Sequence, residues 1–178
     1  MNSVPPWREE PIEKRHDRER FDCGDPSLND YLKRHARQSH TRGGAKTFLA
    51  VASGTADILG YYTVSPASLR HSRAPAVITR GLGRYDVPVF RLGRLAVDRA
   101  YQGAGLGGQL LLAAGRRCLR VAGEVGGLAL LIDAKNEAIV EWYISYGAVP
   151  LDDSPLTLLL HLGTVNAALR AAEDSELS

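Results

Sequence analysis

Apolar positions recur along the chain with two periods, and the switches between them lay out the elements. Leu28, Tyr31, Leu32 and His35 or Ala36 fall three or four apart, the spacing of a helix with one buried face, while Lys33, Arg34, Arg37 and Gln38 take the other face. Asp25-Pro26-Ser27 starts this helix, because an Asp oxygen accepts orphan N–H groups and Pro26 at the first helical position gives up no bond; Gly43-Gly44 ends it. The runs Thr47-Phe48-Leu49-Ala50-Val51-Ala52 and Ile58-Leu59-Gly60-Tyr61-Tyr62-Thr63-Val64, joined through Ser53-Gly54-Thr55, read as an antiparallel pair of strands. Val89 to Val97 is a third strand, Gly107 to about Val121 a helix burying Leu110, Leu111, Ala114 and Cys118, and Leu128 to Ile132 a buried strand. Strand, helix, strand in that order predicts a parallel pair with a right-handed crossover. Asn136 to about Ser145 reads as another helix, Leu156 to Leu160 as a last strand and Gly163 to Ala172 as a short C-terminal helix, with 173–178 a frayed tail. The stretch from Arg70 to Val87, with Pro75, Gly81 and Gly83, has no clear period and is expected to be a mobile or irregular segment over a substrate site.

Length narrows the reading to one domain over 1–178, since 178 residues support a single core. Its first twenty residues are polar, with room for a short edge strand. A net charge of +2 names no partner. No apolar run approaches the roughly 20 residues that cross a bilayer, and the N-terminus lacks a signal-peptide core; a cytoplasmic protein is expected. Cys23 and Cys118 fit no metal or redox spacing, and the five histidines are scattered, so no metal site is expected.

The most informative string is Gln102-Gly103-Ala104-Gly105-Leu106-Gly107-Gly108, set between a strand and a helix. Glycines so placed let backbone N–H groups converge at a helix start, an arrangement that binds a pyrophosphate. Gly103 to Gly108 also satisfies the dinucleotide fingerprint, with Asp133 near the end of the next strand as its acid. The arrangement opposes that reading. Asp98 to Gln102 intervene between strand and first glycine, two antiparallel strands come earlier, and too little chain follows for a second half-sheet. A turn that merely caps a helix needs one glycine, where this loop has four in six positions.

The longer string Arg94-Leu95-Ala96-Val97-Asp98, then Gln102-x-x-Gly105-x-Gly107, then Ala134-x-Asn136-x-Ala138 leading to Trp142-Tyr143-x-x-x-Gly147, resembles the GNAT N-acetyltransferases. Its first part is similar to their acetyl-CoA motif and its second to their asparagine helix with an aromatic-Tyr pair; Ala148 stands where an aromatic is common. Phe21-Asp22-Cys23-Gly24, Leu28-Asn29-x-Tyr31-Leu32, Gly60-Tyr61-Tyr62 and Leu92-Gly93-Arg94 further resemble the toxin branch of that family. That resemblance implies an α/β fold, a single domain with a mixed, mostly antiparallel sheet splayed at its central strands and flanked by helices. It implies an acetyl-CoA-dependent enzyme acetylating the amino group of aminoacyl-tRNA and blocking translation, paired with a ribbon-helix-helix antitoxin that alone contacts operator DNA; a homodimer is one arrangement it allows. Two other readings keep the same cofactor residues: acetylation of a small amine or protein terminus, and a non-catalytic module binding acyl-CoA or RNA.

The resemblance assigns roles. Backbone groups of Leu95, Ala96 and Val97 would line the pantetheine arm, with a strand N–H at Val97 meeting the oxyanion, and the loop Gln102, Gly103, Ala104, Gly105, Leu106, Gly107 and Gly108 would hold the pyrophosphate. Asn136 is either a pantetheine contact or a helix cap. Tyr143 is the general-acid candidate, the alternative being a core aromatic with a satisfied hydroxyl. Phosphates of the RNA ask for cations, for which Lys33, Arg34, Arg37, Arg42, Lys46, Arg91 and Arg94 are the candidates, against a plain solvated helix face.

Overall fold

The computed structural model describes residues 3–178; Met1 and Asn2, the start of the polar N-terminal segment, lie outside them. Seven strands form one mixed sheet, β1 (Trp7–Pro11), β2 (Lys46–Ala52), β3 (Ile58–Leu69), β4 (Val87–Val97), β5 (Ala129–Asp133), β6 (Val149–Leu151) and β7 (Ser154–His161), in the order β1-β2-β3-β4-β5-β7-β6. The helices that flank it are α1 (Pro26–Asp30), α2 (Ala36–Arg42), α3 (Ala76–Thr79), α4 (Leu106–Val125), α5 (Glu137–Ile144) and α6 (Leu162–Glu176). The chain divides into two compact units, residues 1–65 with 93–113, and residues 66–92 with 114–178.

In the first unit β1 pairs antiparallel with β2 from Trp7–Ala52 to Pro11–Phe48, and β2 pairs antiparallel with β3. Its core gathers Ile12, Phe21, Leu32, Leu49, Tyr61 and Ala96. The Asp25 carboxylate caps α1 through Ser27 N–H at 2.9 Å, with Pro26 leading the helix. A π-turn over Tyr31–His35 then joins α1 to α2, which stops at Gly43 in the left-handed region, φ +80°. Leu32 and Ala36 are buried and His35 is exposed, which resolves the choice left open by the periodicity.

In the second unit β4 and β5 pair in parallel from Phe90–Leu130 to Leu92–Ile132, and β4 runs on past the last of these pairs as residues 93–97. The strand, helix, strand order therefore gives the parallel pair expected of it. β5 pairs antiparallel with β7, and β7 with β6.

Four stretches differ from the periodicity. β3 continues to Leu69 through exposed Pro66, and the alternating burial there is that of a half-covered strand, which an apolar-run reading misses. The segment after Leu69 is not irregular throughout: a 3₁₀ turn at His71–Arg73 and the short α3, which buries Ile78, lie within it. Val149-Pro150-Leu151 is too short and too proline-marked to read as a strand, yet it pairs with β7. The C-terminal helix extends to Glu176, through most of the stretch expected to fray, although residues 171–178 are exposed.

Candidate active site

The glycine loop is built entirely within the first unit. Past Val97 the Asp98 carboxylate accepts Ala100 N–H at 2.9 Å and opens a 3₁₀ turn over Arg99–Tyr101. Gly103 and Gly105 then take positive φ, +78° and +89°, a conformation that costs an L side chain about 1–2 kcal/mol. At this boundary Gln109 N–H donates to the Gly105 carbonyl at 3.2 Å. The N–H groups of Leu106, Gly107 and Gly108 stand ahead of it, where the helix itself supplies no carbonyl one turn back, at the positive end of a long helix. A Cβ on Gly105 would meet nothing within 4 Å, so glycine is required there by backbone angle and the space beside it stays open. These features fit a diphosphate.

Strand β4 supplies the next stretch. Asp98 N–H donates to the Leu59 carbonyl at 2.9 Å, so alternation along the strand turns the N–H and C=O groups of Leu95 and Val97 to the opposite edge. Ala96 is buried and its carbonyl faces Gly60, where a Cβ would lie 2.8 Å from that oxygen and 2.8 Å from Leu110 Cδ1. Gly60 is thus a close-approach glycine beneath the strand. The Gln102 side chain does not point away into the loop's open side: its Nε2 donates to the carbonyls of Val97 at 2.8 Å and Cys23 at 2.9 Å.

The second unit carries Asn136 and Tyr143. Asn136 Oδ1 accepts Ile139 N–H at 3.0 Å and caps α5, the simpler of its two sequence readings; its amide nitrogen remains outside that bond. Asn136, Glu137, Val140, Ile144 and Leu156 line a cavity of about 550 Å³. Tyr143 is 6% exposed and its ring packs edge-on against Trp142 at 4.9 Å. Burial pushes its hydroxyl up to about 12, and among the described residues it has no hydrogen-bond partner, unlike a core tyrosine with a satisfied hydroxyl. Tyr61 in the first unit is that kind of residue: fully buried, its hydroxyl donates to the Leu28 carbonyl at 2.7 Å.

The expected stripe of cations separates into parts. Lys33, Arg34, Arg37 and Arg42 line one cavity of 360 Å³ in the first unit, together with Gln38 and Thr41. Arg18 joins them from the segment after β1; its only sequence signal was one charge among many, so periodicity could not single it out. Arg34 also pairs with Asp30 at 3.0 Å. Lys46 leaves the group, its ammonium donating to the His40 carbonyl at 2.8 Å near the end of α2. The Arg94 guanidinium lies 3.5 Å from the centre of the Tyr31 ring. Arg91, in the second unit, pairs with Asp133, whose other oxygen accepts the Thr157 hydroxyl at 3.2 Å. Asp133, the acid of the dinucleotide alternative, is thereby committed to an ion pair.

Among curated proteins the chain is similar to the tRNA-acetylating toxin of Mycobacterium tuberculosis, 35% identical over 149 residues that cover 84% of this chain and 88% of that one. It is also 25% identical over 169 residues to a probable toxin TacT of Sinorhizobium fredii, covering 90% of this chain and 93% of the other. Among solved structures, AtaT complexed with acetyl-methionyl-tRNAfMet superposes with a TM-score of 0.85 at 25% identity, over 92% of this chain and 99% of that one. A tyrosine-to-phenylalanine mutant of AtaT bound to the C-terminus of the antitoxin AtaR and acetyl-CoA gives 0.76 at 26% identity, covering 92% and 97%. The KacTA–DNA complex gives 0.79 at 28% identity, covering 93% and 99%. No protein-family model matches the chain. No helix among the described residues is long and apolar enough to cross a membrane.

Proposed function

The chain belongs to the tRNA-acetylating toxins of the GNAT family, and from that membership we propose that it moves the acetyl group of acetyl-CoA to the amino group of an aminoacyl-tRNA and so blocks translation. The observation that carries the reading is the loop at the head of α4, with Gly103 and Gly105 at positive φ and the first helical N–H groups left without helical partners. When bound, acetyl-CoA supplies an acyl group on sulfur, a thioester that a neutral amine can cleave.

The chain's own residues divide the remaining work. Loop N–H groups from Gly103 to Gly108 would hold the diphosphate, and the outward backbone groups of Leu95 with the Val97 carbonyl would pair with the amides of the pantetheine arm. Val97 N–H is the donor for the acetyl carbonyl oxygen. The amide nitrogen of Asn136 is the group left for the arm once its oxygen has capped α5. An α-amino group has a pKa of about 7.7–8.0, and esterification of its neighbour lowers it, so a large share is already neutral and no strong base is needed. Tyr143 keeps its proton at cellular pH, because burial favours the neutral phenol, and holds it at Oη for the departing sulfur.

The cavity bounded by Arg18, Lys33, Arg34, Arg37 and Arg42 favours a polyanionic acceptor over a small amine. An antitoxin is its protein partner, as AtaR is for AtaT, and the cytoplasm, where charged tRNA resides, is its place of action. Incubation with labelled acetyl-CoA and either charged or uncharged tRNA tests the proposal. Label is expected on charged tRNA only; label on uncharged tRNA, or none on either, contradicts it.

A further inference from the structure

The strings Phe21-Asp22-Cys23-Gly24 and Leu28-Asn29 have no part in the chemistry above, yet they meet the coenzyme loop in space. Arg99 N–H donates to the Asp22 carbonyl at 2.9 Å, and Asp22 N–H donates to Asp98 Oδ2 at 3.1 Å, a reciprocal pair across 76 residues of sequence. Gln102 Nε2 donates to the Cys23 carbonyl at 2.9 Å while also holding Val97. The Arg99 guanidinium lies 3.5 Å from Asp22 Oδ2.

Asn29 holds the other side of this joint. Its Oδ1 accepts Cys23 N–H at 2.9 Å and its Nδ2 donates to Asp22 Oδ1 at 2.9 Å, an oxygen that also accepts Gly24 N–H at 2.9 Å. One side chain therefore fixes the turn whose carbonyls receive Arg99 and Gln102. Hydrogen bonds to the charged form hold the Asp22 carboxyl below the usual carboxylate range. The joint stands on packed core: Phe21 is 2% exposed and edge-on to Tyr61 at 5.6 Å, and the Tyr61 hydroxyl grips the Leu28 carbonyl just before Asn29.

We infer that residues 21–29 form a clamp that keeps the coenzyme loop in its binding shape, with Asn29 and Asp22 as positioning residues for acetyl-CoA. This rests on the acetyltransferase reading and extends it to residues that do not touch the coenzyme. Without the clamp, residues 99–103 sample other conformations, and apparent affinity falls by the fraction of time the loop is competent. Bound coenzyme restores the shape. The defect therefore lies in KM for acetyl-CoA, while kcat at saturation and KM for charged tRNA stay as in the parent.

The test is calorimetric titration of the full chain and of Asn29→Leu with acetyl-CoA, followed by steady-state kinetics with both substrates. Loss of the two Asn29 bonds is expected to raise Kd and KM for acetyl-CoA about tenfold with kcat within about twofold. Asn29→Asp keeps the acceptor for Cys23 N–H and sets a carboxylate against Asp22, and it shows the same split if Asn29→Leu fails to fold. A double-mutant cycle with Gln102→Met is expected to be non-additive, since both act on one joint. Parent-like Kd in a folded Asn29 variant, or a fall in kcat at unchanged KM, overturns the clamp. Absence of binding by the parent overturns the acetyltransferase reading itself.

Discussion

The glycine loop ahead of α4 and the aromatic turn of α5 are built on opposite plans. Around residues 98–102 the polar groups are tied together: Asp98 accepts two N–H groups, Gln102 bridges two carbonyls and Asp22 Oδ1 accepts two donors. At Tyr143 a hydroxyl is buried without a hydrogen-bond or charge contribution to its titration. A recognition element gains from a single preset shape, because ordering it in advance removes that cost from binding. A proton donor gains from being uncommitted, because a hydroxyl already spent on a carbonyl has to break that bond before it can donate elsewhere. Tyr61, whose hydroxyl is spent in this way, belongs to the first plan although its residue type matches the second.

The sharpest way to break this contrast is to remove both hydroxyls in turn. Tyr143→Phe is expected to lower kcat by about 100-fold or more with Kd for acetyl-CoA unchanged, measured by steady-state kinetics beside calorimetry. Tyr61→Phe is expected to leave kcat of the folded protein intact and to cost about 1 kcal/mol of stability in denaturant titration. Equal kinetic effects from the two would erase the distinction.

Two glycines sharpen it next. Gly105→Ala strains a backbone at φ +89° with open space beside it, and a cost of about 1–2 kcal/mol on the loop is expected to weaken acetyl-CoA binding about tenfold. Gly60→Ala instead drives a methyl onto the Ala96 carbonyl and Leu110, so a loss of about 1–3 kcal/mol is expected in global stability.

Smaller effects are expected from the cations. Arg18→Ala or Arg37→Ala should raise KM for charged tRNA a few-fold and lower the slope of log affinity against log salt by about 1, leaving acetyl-CoA binding alone. Lys46→Ala, whose ammonium is engaged by His40, should leave that slope nearly unchanged.

The smallest effect is that of pH on the clamp. Asp22 titrates below its ordinary value in the fold, so its contribution is fully present above the unfolded carboxyl pKa of about 3.9 and is lost only as pH falls through the lower folded value. Acetyl-CoA affinity should therefore stay flat through the neutral range in a calorimetric pH series. A fall beginning near neutrality would mean that another group controls the loop.

Much of this was legible in the sequence because local rules decide it. Asp25-Pro26-Ser27 and Gly43 bound the first helical segment by local rules alone, and Gly103 and Gly105 ahead of an amphipathic helix announce a turn of positive φ without tertiary information. Asn136 shows the limit. Its cap is a local bond, yet only the fold says which of its two atoms the cap uses. The clamp was not legible as a clamp, since Asp22 and Asp98 are paired by folding across 76 residues and nothing in either string names the other. Arg18 was hidden for the same reason, since it gains its meaning from a cavity shared with the first helical segment, and the ring of Tyr31 that faces Arg94 comes from the π-turn, which no string around Arg94 names. β6 was missed because three residues with a proline carry too little pattern, and its pairing with β7 supplies what the pattern lacked.

The most direct test is to digest the RNA after reaction of charged tRNA with acetyl-CoA and weigh the terminal aminoacyl-adenosine by mass spectrometry. The account predicts an acetyl group on the amino nitrogen of that fragment with the parent protein and almost none with Tyr143→Phe. An unmodified fragment with the parent, or an acetyl group found on a ribose or a base, would contradict it.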